Sequence, residues 1–284
     1  MTADAFVHLP GLRSRVMHPL KSQLRLTPEM FAMWEQRARA AGWPESWRLS
    51  DEVIEASRLA VLGGHKAGDD LWIYSYGSLM RDPGFHFAEV RLANVEGFQR
   101  RFTLKINFGR GSQEFPALML SLERGKGCCH GLAFRIAADA IHAETAILWR
   151  REMLRGGYAP AMLPTLTPQG PIRALAFVSN PSHPGYVGEL PLAETACLIA
   201  SGKGILGTNR EYLVQLATQL AGLDRRSLCR ATARRNRRNA GGVSRKPAFK
   251  QCLRSAFRQP TWHADTSARR RYSAIVVPDC AKIE

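Results

Sequence analysis

Leu71-Trp72-Ile73-Tyr74-Ser75-Tyr76-Gly77-Ser78-Leu79 decides how this chain folds. β-prone residues end abruptly at a glycine, so a strand over Leu71 to Tyr76 is expected to run into a tight turn at Gly77-Ser78. A turn of that kind presents consecutive backbone N–H groups, which suit a carboxylate or a developing oxyanion. Ser78 itself reads as a turn residue, because its flanks do not form the G-x-S-x-G elbow that exposes a nucleophile.

Downstream of this junction, strands are expected at Val90 to Val95, Arg101 to Ile106, Ala117 to Leu122, His130 to Ile136 and Ile172 to Val178, most of them flanked by Gly, Pro or Asn. One long helix interrupts them, capped by Asp139 and running through Arg155 to Gly156-Gly157. Two shorter helices, Leu192 to Ser201 and Asn209 to Gly222, follow. Many strands followed by late helices indicate an α+β fold with a curled or barrel-like sheet, not alternating βαβ units.

Upstream, Thr27, Pro28 and Glu29 carry helix-start chemistry, and Phe31, Trp34 and Ala38 give the helix to about residue 41 an apolar stripe. A second helix begins at Ser50-Asp51-Glu52, places Val53, Ile54, Ser57, Ala60 and Val61 on one side, and stops at Gly63-Gly64. His65 to Asp70 reads as a polar linker, and residues 5 to 28, which carry four basic residues and no acid, read as a solvated arm. The division expected is a helical extension and linker over 1–70, a strand-rich main domain over 71–224 and an Arg-rich tail over 225–284.

The chain carries 40 Lys+Arg against 24 Asp+Glu, a formal charge of +16 that on its face points to nucleic acid. Sixteen of the basic residues and only three acids lie after residue 224, so residues 1–224 hold 24 basic and 21 acidic residues, a net +3. The charge therefore belongs to the tail, whose like-charge blocks at Arg234 to Arg238 and Arg269 to Arg271 read as disordered. A hydrophobic content of 45% excludes wholesale disorder, and no apolar run approaches the ~18 residues that cross a bilayer. Neither a membrane partner nor secretion is expected, since the apolar stretch near the N-terminus is too short for a signal peptide. Six cysteines without a CxxC pair or zinc-finger spacing read as thiols in a reducing cytoplasm, with no metal site.

Ile141, Thr145, Leu148 and Glu152 fall on one side of the long helix, which puts a carboxylate at the end of an inward-facing stripe. Burial there would raise the Glu152 pKa and Arg151 or Arg155 would lower it, so the direction stays open at the level of sequence.

Four segments in order and spacing then resemble the ChaC-type, glutathione-specific γ-glutamylcyclotransferases. They are Leu71 to Met80; Gly97-Phe98 with Arg100-Arg101-Phe102; Trp149-Arg150-Arg151-Glu152-Met153 with Gly156-Gly157-Tyr158; and Asn209-Arg210-Glu211-Tyr212-Leu213. The resemblance covers roughly residues 45 to 224. It implies a small mixed β-barrel flanked by helices that cleaves the γ-glutamyl bond of glutathione to 5-oxoproline and cysteinylglycine without a cofactor. Carried over, Ile73, Tyr74, Ser75, Tyr76, Gly77 and Ser78 form the substrate-binding loop, Glu152 is the catalytic acid/base, and Tyr158 and Tyr212 are pocket residues. Ser75 stands where the family commonly has Gly or Ala, so its hydroxymethyl group is expected to narrow the pocket or add a hydrogen bond. Two rival readings keep to the same residues: a cyclotransferase for other γ-glutamyl peptides or amines, and a protein that binds nucleic acid without specificity through its basic tail.

Overall fold

The computed structural model describes residues 4–40 and 42–223, so the expectations for the tail at 225–284 lie outside the described residues. Its centre is a closed five-stranded barrel in the order β1-β3-β2-β4-β5, formed by β1 (Leu71–Ser75), β2 (Glu89–Ile106), β3 (Ala117–Ile136), β4 (Tyr158–Thr167) and β5 (Gly170–Ser179). β1 runs antiparallel to β3, from Leu71↔Ile136 to Ser75↔Leu132, and closes the barrel by pairing parallel to β5 at Trp72↔Ala174 and Ile73↔Leu175. The strand expected at Leu71 is therefore central, flanked on both sides, and its residues Leu71, Ile73 and Tyr74 are fully enclosed. The α+β barrel with flanking helices is the architecture found.

Four of the expected strands are halves of two longer ones. Val90 to Val95 and Arg101 to Ile106 join in β2, and Ala117 to Leu122 and His130 to Ile136 join in β3. Gly97, at φ +77°, sits in a register shift between Glu96 and Phe98, so it bends the strand instead of ending it. β4 lies outside the strands expected from sequence, and it carries Pro160 and Pro164, residues that a sheet admits only at an edge or a bulge. They are tolerated because β4 pairs along its length with β5 alone and meets β2 only at Asn94↔Leu166, leaving one edge short of ladder partners.

Among the described residues five α-helices surround the barrel: α1 (Pro28–Ala40), α2 (Asp51–Gly63), α3 (Ile141–Glu152), α4 (Leu192–Ser201) and α5 (Asn209–Ala221). α3 begins later and ends earlier than expected. Residues Ala138–Ala140 form a 3-10 turn, Asp139 caps nothing, and the Asp70 carboxylate accepts from the Ala138 N–H at 3.0 Å. Its buried stripe is the expected one, with Ile141, Thr145 and Leu148 enclosed. On α2 the buried residues are Ile54 and Arg58, while Val53 is 52% exposed. Arg58 is buried because its guanidinium finds Glu55 at 2.5 and 2.8 Å and Thr145 Oγ1 on α3 at 3.0 Å. α5 opens with a full capping box, Thr208 and Glu211 exchanging bonds with each other's backbone N–H.

The N-terminal arm is only partly solvated: Val7 and Leu20 are exposed, but other residues pack. Leu12 and Val16 join the barrel core, and Arg25 makes a two-pronged ion pair with Glu144 of α3 at 2.6 and 3.0 Å. Beside it Leu26, Phe31, Ala38, Trp47 and Leu154 form a second small core, against which Trp34, Trp43 and Phe108 pack. The apolar residues of the arm are too sparse to show a period, so composition alone reads them as exposed.

Candidate active site

One end of the barrel opens into a cleft of about 1520 Å³. Gly77 and Ser78 line it from the turn after β1, Glu152 from the last turn of α3, Tyr158 from the start of β4 and Tyr212 from α5. Five of the nine site residues expected from sequence thus meet in one place although they are spread over more than 130 positions of chain. Ile73, Tyr74, Ser75 and Tyr76 do not line the cleft. Ile73 and Tyr74 are core side chains, Tyr74 donating to the Cys129 carbonyl at 2.7 Å, and Tyr76 donates to the Phe177 carbonyl at 2.7 Å. These residues form the wall behind the turn. Ser75 is buried, its Oγ finds no hydrogen-bond partner among the described residues, and it does not line the cleft.

The turn is held from two directions. Arg100 on β2 donates through Nε to the Tyr76 carbonyl at 2.6 Å and through Nη2 to the His130 carbonyl. Arg151 donates to the Asp82 carbonyl at 2.7 Å and to Ser78 Oγ at 3.1 Å, and its Nε lies 3.1 Å from Glu152 Oε1. Ser78 Oγ is thereby engaged as an acceptor by a permanent cation. The turn packs against α5 and β3, since a Cβ on Gly77 would stand in van der Waals contact with the Tyr212 hydroxyl at 3.5 Å and Leu120 at 3.7 Å. Arg100 and Asp82 were not singled out as site residues from sequence, because neither type of contact, a guanidinium on a distant carbonyl, leaves a local signal.

Glu152 has a side chain 13% exposed. Burial pushes its carboxyl above the ordinary carboxylate value, and the Arg151 guanidinium acts in the opposite direction without cancelling the effect. Its position at the C-terminal end of α3, where the helix dipole is negative, also disfavours the charged form. Of the two directions that the sequence left open, burial prevails, and the Glu152 carboxyl lies above its ordinary value. Burial also raises Tyr76, Tyr158 and Tyr212, and the nearby Glu152 charge raises each of them further. These phenols are therefore protonated at neutral pH. Tyr158 spends its proton on the Leu120 carbonyl at 3.0 Å and Tyr76 on Phe177, leaving oxygen lone pairs as acceptors around the carboxylate.

With this geometry in place the comparisons with known proteins are decisive. A family model described as ChaC-like protein matches residues 71–228. The chain belongs to the ChaC-like family. Among relatives, the Escherichia coli protein named glutathione-specific γ-glutamylcyclotransferase is 36% identical over 177 residues, covering 62% of this chain and 76% of that protein. The human glutathione-specific γ-glutamylcyclotransferase 1 is 37% identical over 151 residues, covering 52% of this chain and 68% of that protein. A crystal structure of a yeast γ-glutamyl cyclotransferase specific to glutathione shares the fold at a TM-score of 0.51 and 20% identity, over 55% of this chain and 88% of that one. The ChaC-like region thus begins with β1 and takes in both the turn at Gly77-Ser78 and Glu152. Among the described residues no group of three His, Cys, Asp or Glu side chains could hold a metal ion, and no helix is long and apolar enough to cross a membrane.

Proposed function

We propose that this protein cleaves glutathione to 5-oxoproline and cysteinylglycine, with Glu152 as the acid/base. The observation that carries the reading is a desolvated carboxylate, its pKa raised by burial, in the same cleft as the Gly77-Ser78 turn. A γ-glutamyl α-amine is protonated at neutral pH and has no lone pair to offer. Glu152 takes a proton from the ammonium, the freed nitrogen attacks the γ-carbonyl of the same residue, that proton passes to the departing cysteinyl nitrogen as the C–N bond breaks, and Glu152 then takes the second proton from the ring nitrogen and returns it to solvent. The new bond closes a five-membered ring, so holding the γ-glutamyl group folded supplies much of the acceleration. The backbone amides at Gly77 and Ser78 are the donors for the substrate carboxylate or the developing oxyanion, and the oxygens of Tyr158 and Tyr212 accept from the ammonium. Ile73, Tyr74, Ser75 and Tyr76 contribute by fixing the backbone of the turn. No cofactor enters these steps.

Incubation with glutathione and measurement of 5-oxoproline tests the reading directly. Release of 5-oxoproline supports it, and none from a folded protein overturns it. Comparing glutathione with γ-glutamyl dipeptides in the same assay separates a glutathione enzyme from a general γ-glutamyl one. Residues 71–224 form the catalytic unit in this reading, 1–70 its extension and 225–284 an appended basic tail acting in the cytoplasm without a required nucleic-acid partner. A chain lacking residues 228–284 is accordingly expected to turn over glutathione at the parent rate, and loss of turnover would show that the tail takes part.

The pH profile checks the role of Arg151. Its charge holds the Glu152 pKa down, so Arg151→Met is expected to raise that pKa further. Glu152 works as a base, so activity rises as pH rises through its pKa, and the acid limb of kcat/KM should move to higher pH. A limb that stays in place would separate the titration from Glu152.

A further inference from the structure

Four arginines that line the cleft are at least half-buried, and three of them already have carboxylates. Arg48 is paired with Glu35 and Asp51, Arg110 faces Glu211 at 3.5 Å, and Arg151 contacts Glu152 and Asp82. Arg155 differs. Among the described residues its guanidinium donates to Asn107 Oδ1 at 2.9 Å and has no carboxylate partner, and burial is the one influence that shifts its pKa, downward. A half-buried guanidinium bonded only to a neutral amide keeps most of its five donors and its full charge for a ligand. The neighbouring His183 does not share that role, because burial and the Arg155 charge hold its imidazole below the ordinary histidine value and hence neutral at pH 7.

Resting on the glutathione reading above, we propose that Arg155 receives the carboxylate at the far end of the substrate, on the glycine of the leaving dipeptide, and so selects γ-glutamyl peptides that end in a free carboxylate two residues beyond the scissile bond. Arg155 follows Glu152 by three residues, just past the end of α3, so chain length alone keeps their Cα atoms within roughly 11 Å. Two residues beyond the scissile bond span about 7 Å of extended chain, a distance that a long arginine side chain can meet. The other substrate carboxylate sits on the residue that forms the ring, so it stays beside the reacting nitrogen and the Gly77-Ser78 amides. Planar two-pronged recognition also distinguishes an arginine here from a lysine.

The test measures kcat and KM for glutathione, for its glycyl ethyl ester and for an analogue with the γ-glutamyl α-carboxylate amidated, in the parent, Arg155→Gln and Arg155→Lys proteins. Arg155→Gln should raise KM for glutathione roughly 10-fold or more, as expected for loss of a charge-assisted bond, with kcat little changed. Its KM for the ester should equal that of the parent, and Arg155→Lys should recover part of the affinity for glutathione, which also shows that the position tolerates substitution. Equal KM for glutathione in parent and Arg155→Gln overturns the proposal. So does a penalty that persists with the ester and vanishes with the α-amide, which would assign Arg155 to the other carboxylate. Parent protein that releases no 5-oxoproline from glutathione would instead sink the glutathione reading, and this proposal with it.

Discussion

Glu152→Gln is expected to release 5-oxoproline from glutathione about 100-fold or more slowly than the parent, since the substitution keeps shape and polarity while removing the base. The same protein should melt no lower than the parent at pH 7. Because the folded-state pKa of Glu152 is raised above the ordinary value of 4.5, the stability it contributes is present below that value and is lost as pH rises through the folded pKa. Burial disfavours the charged form of this carboxyl, and a neutral amide carries no such cost. Arg151 would not be stranded, since it retains Ser78 and the Asp82 carbonyl. Turnover and thermal melting of the purified variant check both halves. Parent-level turnover would remove Glu152 from the mechanism, and a strongly lowered melting temperature would mark it as a structural ion-pair member.

Arg25→Ala is expected to cost about 3–5 kcal/mol of stability, because it strands a buried carboxylate. The side chains of Arg25 and Glu144 are 14% and 7% exposed, and Glu144 also accepts from the His86 N–H at 2.9 Å. For a described region of this size the loss corresponds to a melting temperature lower by on the order of 10 °C. Thermal and urea unfolding measure it, and a change below about 1 kcal/mol would mean that the pair is solvated in solution. Arg25→Met with Glu144→Met should recover most of the loss, since removing both charges leaves none unpaired. Catalysis should respond as well. Leu24 and Leu26, on either side of Arg25, line the cleft, and a Cβ on Gly84, whose carbonyl Arg25 binds, would come within 3.2 Å of Arg151.

The C-terminal end of α3 was legible because a helix with Ile141, Thr145 and Leu148 on its inner side must carry Glu152 inward too, whatever it packs against. The turn at Gly77-Ser78 was legible for the same local reason. The two long strands were not, because whether Gly97 ends a strand or bends it depends on whether a partner strand continues opposite, and that partner lies some thirty residues away. β4 was hidden by Pro160 and Pro164, whose tolerance depends on which edge of the strand lacks a neighbour. The arm was misread because Leu12, Val16 and Arg25 acquire their partners only from distant parts of the chain.

The sequence by itself determined the local elements, the inward-facing carboxylate and, through four spaced motifs, the family. Tertiary structure alone decided which of the carried-over residues reach the cleft, in which direction burial shifts the Glu152 carboxyl, and that Arg155 has no carboxylate partner among the described residues. The physical reason is that periodicity and turn chemistry act over a few residues and are written in order along the chain. Desolvation and charge pairing depend on what surrounds a group in space, and in this barrel those surroundings come from β1, α3, α5 and an N-terminal arm whose contacts leave no pattern in the sequence.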